Sequence, residues 1–178
     1  TNNWQNMTMT TGAFRFEANP NPVDPARRAE LLMDPGFGRV FTDHMVTIRY
    51  AEGKGWHDAK VGPRGPLSLD PATAVLHYAQ EIFEGLKAYR LADGSMALFR
   101  PEQNAQRFQR SARRLAMAEL PEELFLQSCR QLVEVDREWF PPVEGGSIYL
   151  RPFMIASEVF LGVKPSSEYL FMTIASAA

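Results

Sequence analysis

The sequence is poor in the features that most readily announce a function. It has one cysteine, Cys129, so no intrachain disulfide can form. That residue falls in the apolar pattern of a predicted helix, and a buried, inert thiol in a reducing compartment is expected. No stretch approaches the roughly 18 apolar residues needed for a membrane helix. The first 15 residues show no basic stretch followed by an apolar one, which argues against a signal peptide. Neither sign of charge dominates: 19 basic and 21 acidic side chains give a net charge of -2. No global attraction to nucleic acid follows from that balance. There is no internal repeat, no low-complexity tract and no glycine-rich phosphate loop. His44, His57 and His77 are isolated, without metal-ligand spacing. No nucleophile elbow occurs, and Cys129 has no plausible histidine partner.

What is present is the material of an ordinary core. Hydrophobic residues make up 45% and aromatics 11% of 178 residues, enough for one domain and too many for a disordered chain. Residues 1–25, with scattered Asn, Thr and Pro, read as a partly flexible leader. Residues 39–51 alternate as a strand, 51–55 turn, and 56–61 return as its hairpin partner. Asp70-Pro71 can cap a short helical turn ending near Tyr78. Residues 83–90 and 95–99 flank an Asp-Gly turn, a second hairpin. Pro101 opens a helix whose core face carries Ala105, Phe108, Ala112, Leu115 and Ala116. A second helix is expected over 122–139, closed by Pro141-Pro142. Strands follow at 147–156 and from 168 onward, separated by a loop at 157–167. Strand pairs followed by helices, with no βαβ alternation, predict an α+β fold with a mainly antiparallel sheet. The chain begins without methionine and ends inside an apolar strand, so a piece of a longer protein is expected.

Two places could carry chemistry. Residues 100–114 hold five arginines and one glutamate. Arg107, Arg110 and Arg114 share one helix side. Such a group is either a solvated surface or an anion site, since a planar guanidinium suits phosphate. In the strand 147–156, Tyr149, Arg151, Phe153 and Ile155 lie on one face. An arginine there either pairs with a carboxylate at a sheet edge or meets a substrate carboxylate, with Tyr149 adding a hydroxyl. Phe37, Tyr78 and Phe83 read first as core aromatics, although a buried Tyr78 hydroxyl needs a partner. Glu81 and Glu84 are three apart, too little to assign a catalytic pair.

Four strings, Phe37-Gly-Arg-Val-Phe-Thr-Asp-His-Met45, Leu76-His-Tyr-Ala-Gln-Glu-Ile-Phe-Glu-Gly-Leu-Lys-Ala-Tyr-Arg90, Ile148-Tyr-Leu-Arg-Pro152 and Leu161-Gly-Val-Lys-Pro165, together resemble the branched-chain aminotransferases. These are fold-type IV enzymes that use pyridoxal 5'-phosphate (PLP). The resemblance runs from about Pro35 to Ala178. It implies a leader or arm over 1–34, a small N-terminal domain over 35–178 with helices packed on its sheet, and a large domain after 178. That second domain would bear the Schiff-base lysine. None of Lys54, Lys60, Lys87 and Lys164 fits the lysine motif, so no catalytic residue is expected in this chain and the fragment alone should be inactive.

The same resemblance implies roles for individual residues. Arg107 falls on the arginine that binds the PLP phosphate, which leaves its arginine neighbours as surface. Phe37, Tyr78, Phe83 and Tyr149 fall on the wall that receives the side chain of Leu, Ile or Val. Arg151 falls on the arginine that meets the side-chain carboxylate of glutamate. Leu161 and Val163 fall on a loop that crosses into the partner's active site. The implied reaction moves the amino group of a branched-chain amino acid to 2-oxoglutarate in a cytoplasmic homodimer, with no metal, membrane or nucleic acid involved. Two rivals remain: another fold-type IV enzyme, such as a D-amino acid aminotransferase or aminodeoxychorismate lyase, and a non-catalytic stand-alone binding domain.

Overall fold

A computed structural model describes residues 14–178. Its elements are β1 (Arg15–Phe16), α1 (Pro25–Met33), β2 (His44–Ala51), β3 (Gly55–Pro63), α2 (Ala74–Tyr78), β4 (Glu81–Phe83), β5 (Leu86–Arg90), β6 (Met96–Leu98), α3 (Pro101–Arg114), α4 (Glu122–Val135), β7 (Ser147–Ala156) and β8 (Glu168–Ala177). The fold is α+β, as expected. One sheet runs β1-β3-β2-β8-β7-β5-β6, with β4 also paired to β7. Among these pairings only β1 with β3 is parallel.

The period-two alternation of β7 sorts the sheet into two faces. Ile148, Leu150, Met154 and Ala156 are fully buried and join the main core. There they pack with Phe108 of α3, Phe125 of α4 and Phe171 of β8, whose rings lie 5.5–6.4 Å apart. Cys129 of α4 is part of that core, and burial pushes its thiol up to about 12. The other face of β7 carries Tyr149, Arg151 and Phe153, all half-buried. This open face is where a site has room.

The expected strand over 83–90 is in fact two, β4 and β5, laid end to end along β7. Phe83 stands opposite Phe153 and Leu86 opposite Leu150, so the register continues through the gap. The ladder stops because Pro152 lies opposite Glu84 and has no N–H to donate. Only the Glu84 N–H to Pro152 carbonyl bond is made, at 2.8 Å. The helix expected over 122–139 also stops early, at Val135, and a 3-10 turn covers Arg137–Trp139.

Within the expected leader, residues 1–13 lie outside the described residues. Residues 14–34 are held to the domain. Asp24 caps α1 through its carboxylate, which accepts from the Ala26 and Arg27 N–H groups. The Val23 N–H donates to Asp43 Oδ1, and Asp43 Oδ2 accepts from the buried Trp139 indole. His44 Nε2 accepts from the Asn19 N–H at 2.9 Å, which fixes the ring proton on Nδ1. That Nδ1 then donates to Asp136 at 2.7 Å. The Asp43-His44 pair of the first recognised string is thus a structural clamp. Among the described residues no group of three or more His, Cys, Asp or Glu could hold a metal, and no helix is long and apolar enough to cross a membrane.

Candidate functional site

Antiparallel pairing puts Phe83, Gly85, Tyr149, Arg151 and Phe153 on the open face of β4, β5 and β7. The Arg151 guanidinium lies 4.4 Å from the Phe83 ring centroid and 5.5 Å from that of Tyr149. Its Nη2 donates to the Tyr149 hydroxyl at 2.8 Å. Its Nε is buried with no hydrogen-bond partner among the described residues. β7 is flanked on both sides, and no carboxylate pairs with Arg151 among the described residues. Of the two readings open for this arginine, the edge ion pair is therefore the one not found. A cation held only by aromatic faces and one hydroxyl is under-compensated.

Gly85 makes that arrangement possible. A Cβ built there would overlap the Tyr149 hydroxyl oxygen, so any side chain displaces the group that binds Arg151. Phe37 completes the cluster from a loop. Gly36 and Gly38 both have positive φ, at 62° and 68°, a region open to glycine at little penalty. Between them Phe37 is displayed with its ring edge-on to Tyr149 at 4.9 Å.

The other expected site residues lie elsewhere. The Tyr78 hydroxyl at the end of α2 accepts from the Gly162 N–H at 2.5 Å, and its ring stacks on Phe160. Among the described residues Tyr78 makes no ring contact or hydrogen bond with Phe37, Phe83, Tyr149 or Arg151. It belongs to a second group with the 157–167 loop. In that loop Leu161 is exposed and Val163 is 98% exposed, an apolar residue that none of the described residues covers.

Arg107 is on the helix side of the sheet. Its Nε and Nη2 donate to the two carboxylate oxygens of Glu84 at 2.6 and 2.8 Å. The exposures are unequal, 61% for the Arg107 side chain and 3% for Glu84. Asn104 Nδ2 donates a further bond to Glu84 at 2.9 Å. Arg107 also lines a shallow cavity of about 340 Å³ with Ile82, Arg110, Ser111, Arg114 and Leu115. Arg110 and Arg114, left as surface by the resemblance, are exposed but share this cavity with Arg107. Arg113 instead pairs with Glu119. Three guanidinium groups and a hydroxyl, with no acidic lining residue, make an anion-receptive surface. None of the four lysines lines it.

Sequence reasoning missed Glu84 and Gly85. A signal was available: Glu84 is in phase with Ile82 and Leu86, two core-facing positions, and a carboxylate in that phase requires a cation. Burial pushes the Glu84 carboxyl up, but the hydrogen bonds from Arg107 and Asn104 and the Arg107 charge outweigh it and hold it below the usual carboxylate value. A lowered folded-state value means stability that is present above the unfolded pKa of about 4.3 and lost as pH falls through the folded value. The urea midpoint should therefore fall more between pH 7 and pH 3 in the wild type than in Glu84→Gln; equal falls would show that the pair is not the source.

No family model matches the chain. It is 60% identical over 172 residues to a probable branched-chain-amino-acid aminotransferase of Streptomyces coelicolor, and 58% over 173 residues to the branched-chain-amino-acid aminotransferase of Mycolicibacterium smegmatis. Each alignment covers 96% of this chain and 47% of the relative, so the chain spans about half the length of the curated relatives it matches. Among solved structures, the branched-chain amino acid aminotransferase from Escherichia coli matches with a TM-score of 0.53 at 21% identity, covering 75% of this chain and 41% of that one. A second branched-chain amino acid aminotransferase, solved in complex with N-(5'-phosphopyridoxyl)-L-glutamate, matches with a TM-score of 0.52 at 24% identity over 72% and 39% of the two chains. These structures share the fold.

Proposed function

We propose that this chain is the N-terminal part of a PLP-dependent branched-chain amino acid aminotransferase, supplying the side-chain pocket and the phosphate anchor while the rest of the enzyme supplies the lysine. The observation that carries this reading is Arg151, a guanidinium set into an aromatic wall with no carboxylate partner among the described residues. An enzyme that moves an amino group from Leu, Ile or Val to 2-oxoglutarate must place a hydrocarbon and a carboxylate in the same pocket. Phe37, Phe83 and Tyr149 bind the hydrocarbon by burial, on the order of 1.5–3 kcal/mol for a fully covered side chain. Arg151 and the Tyr149 hydroxyl meet the carboxylate, and the arginine stem still presents methylenes when the hydrocarbon is bound. Similarity at 60% and 58% identity to aminotransferases of this specificity supports the assignment.

The residues present fit the cofactor. The cavity beside Arg107 has the charge and hydroxyl that a phosphate monoester requires. Arg107 would hold the phosphate, with Arg110, Ser111 and Arg114 on the same surface. PLP supplies the electron sink of the reaction; this chain fixes its phosphate and selects the side chain that approaches it. The exposed Leu161 and Val163, on a loop tied down by Tyr78, are read as reaching the partner's pocket in a cytoplasmic homodimer.

The intact protein, given PLP, L-leucine and 2-oxoglutarate, should form 4-methyl-2-oxopentanoate and glutamate. No turnover of any branched-chain L-amino acid would overturn the reading. Turnover of D-leucine instead would move the chain to another enzyme of the same fold type.

A further inference from the structure

Phe83 and Glu84 are neighbours in sequence but face opposite sides of the sheet. Phe83 lies under the Arg151 guanidinium, on the side-chain pocket. Glu84 points the other way, to α3, and binds Arg107. We infer that Glu84 is the positioning residue of the phosphate anchor: its buried carboxylate fixes one edge of the Arg107 guanidinium and ties it, through one peptide bond, to the wall that receives the substrate side chain. The inference rests on the reading of Arg107 as the phosphate arginine.

Three observations carry it. First, the contact is bidentate at 2.6 and 2.8 Å, which sets the guanidinium plane as well as its distance. A lone contact would leave the plane free to rotate. Second, the carboxylate itself cannot wander. Asn104 holds one of its oxygens, its own backbone N–H is bonded to Pro152, and its side chain is only 3% exposed. An arginine with an exposed side chain is thereby held by a buried partner, rather than by an exposed acid as in the Arg113–Glu119 pair. Third, the pairing uses Nε and Nη2 and leaves Nη1 with no partner among the described residues, so one edge is clamped and another is available. Glu84 also neutralises much of the Arg107 charge. The contribution of Arg107 to anion binding therefore comes from directed hydrogen bonding more than from net charge, and direction is what the clamp supplies.

The test is a double-mutant cycle on the intact protein, read as the dissociation constant of PLP after removal and stepwise return of the cofactor. Glu84→Gln should weaken PLP about tenfold, the scale on which removing an outer partner of a ligand-binding group acts. In an Arg107→Ala background the same change should have less than about a twofold effect. Equal weakening in both backgrounds, or none in either, overturns the inference. If Glu84→Gln yields no folded protein, Asn104→Ala is run through the same cycle and judged by the same criterion. Loss in Arg107→Ala without loss in Glu84→Gln overturns this inference alone. An Arg107→Ala protein that holds PLP as the wild type does overturns the phosphate reading and this inference with it.

Discussion

Arg151→Ala in the intact protein is expected to lower kcat/KM for glutamate about 100-fold and for leucine by less than about tenfold. The larger figure corresponds to removing one partner of a desolvated charge pair, about 2–5 kcal/mol. Among the described residues Arg151 has no acid of its own: aromatic faces at 4.4 and 5.5 Å and the Tyr149 hydroxyl are what stabilise it, and its Nε finds no partner there. A glutamate carboxylate entering the pocket supplies what that site lacks. Leucine makes no such bond and loses only contact with the arginine stem. Steady-state kinetics with each amino acid as donor decide the matter. Equal losses would assign Arg151 to the architecture of the wall and remove its part in selecting the carboxylate.

The half of this site that can be read from sequence is the half built by local periodicity. Alternation puts Tyr149 and Arg151 on one strand face, and they are found there. Phe83 cannot be placed against them by pattern alone, since its position depends on pairing across some seventy residues of chain. The break at Glu84 has the same origin: Pro152 interrupts a strand that, read by itself, continues from 83 to 90. Proline acts here on its cross-strand neighbour, which no window along the sequence contains. The order of hairpins and helices is legible for the opposite reason, because glycine-bearing turns and prolines at helix starts act on their own immediate neighbours. The helix α1 carries those same signals in Asp24 and Pro25, but its polar flanks conceal them. Burial follows that phase. Glu84, in step with Ile82 and Leu86, is buried among core residues, whereas Glu81, out of step with them, is exposed.

On the proposed function, that burial gives Arg107 two separable roles, and Arg107→Ala should show both. PLP affinity is expected to fall about 10–100-fold, the range for losing a charge-assisted hydrogen bond. Stability is expected to fall as well, because Glu84 is left as a buried carboxylate with only Asn104 for a side-chain donor among the described residues. For a fully buried pair such a loss is about 3–5 kcal/mol; the exposed side chain of Arg107 reduces it to roughly 1–2 kcal/mol. The two effects part company in the double variant. Adding Glu84→Gln removes the stranded charge, so the unfolding midpoint should recover toward the wild type. PLP affinity should stay low, because glutamine restores no guanidinium. Recovery of both would mean that Arg107 serves the cofactor only by keeping the domain folded. Recovery of neither would mean that the Glu84 carboxylate is tolerated without its arginine, and that the loss of stability has another source.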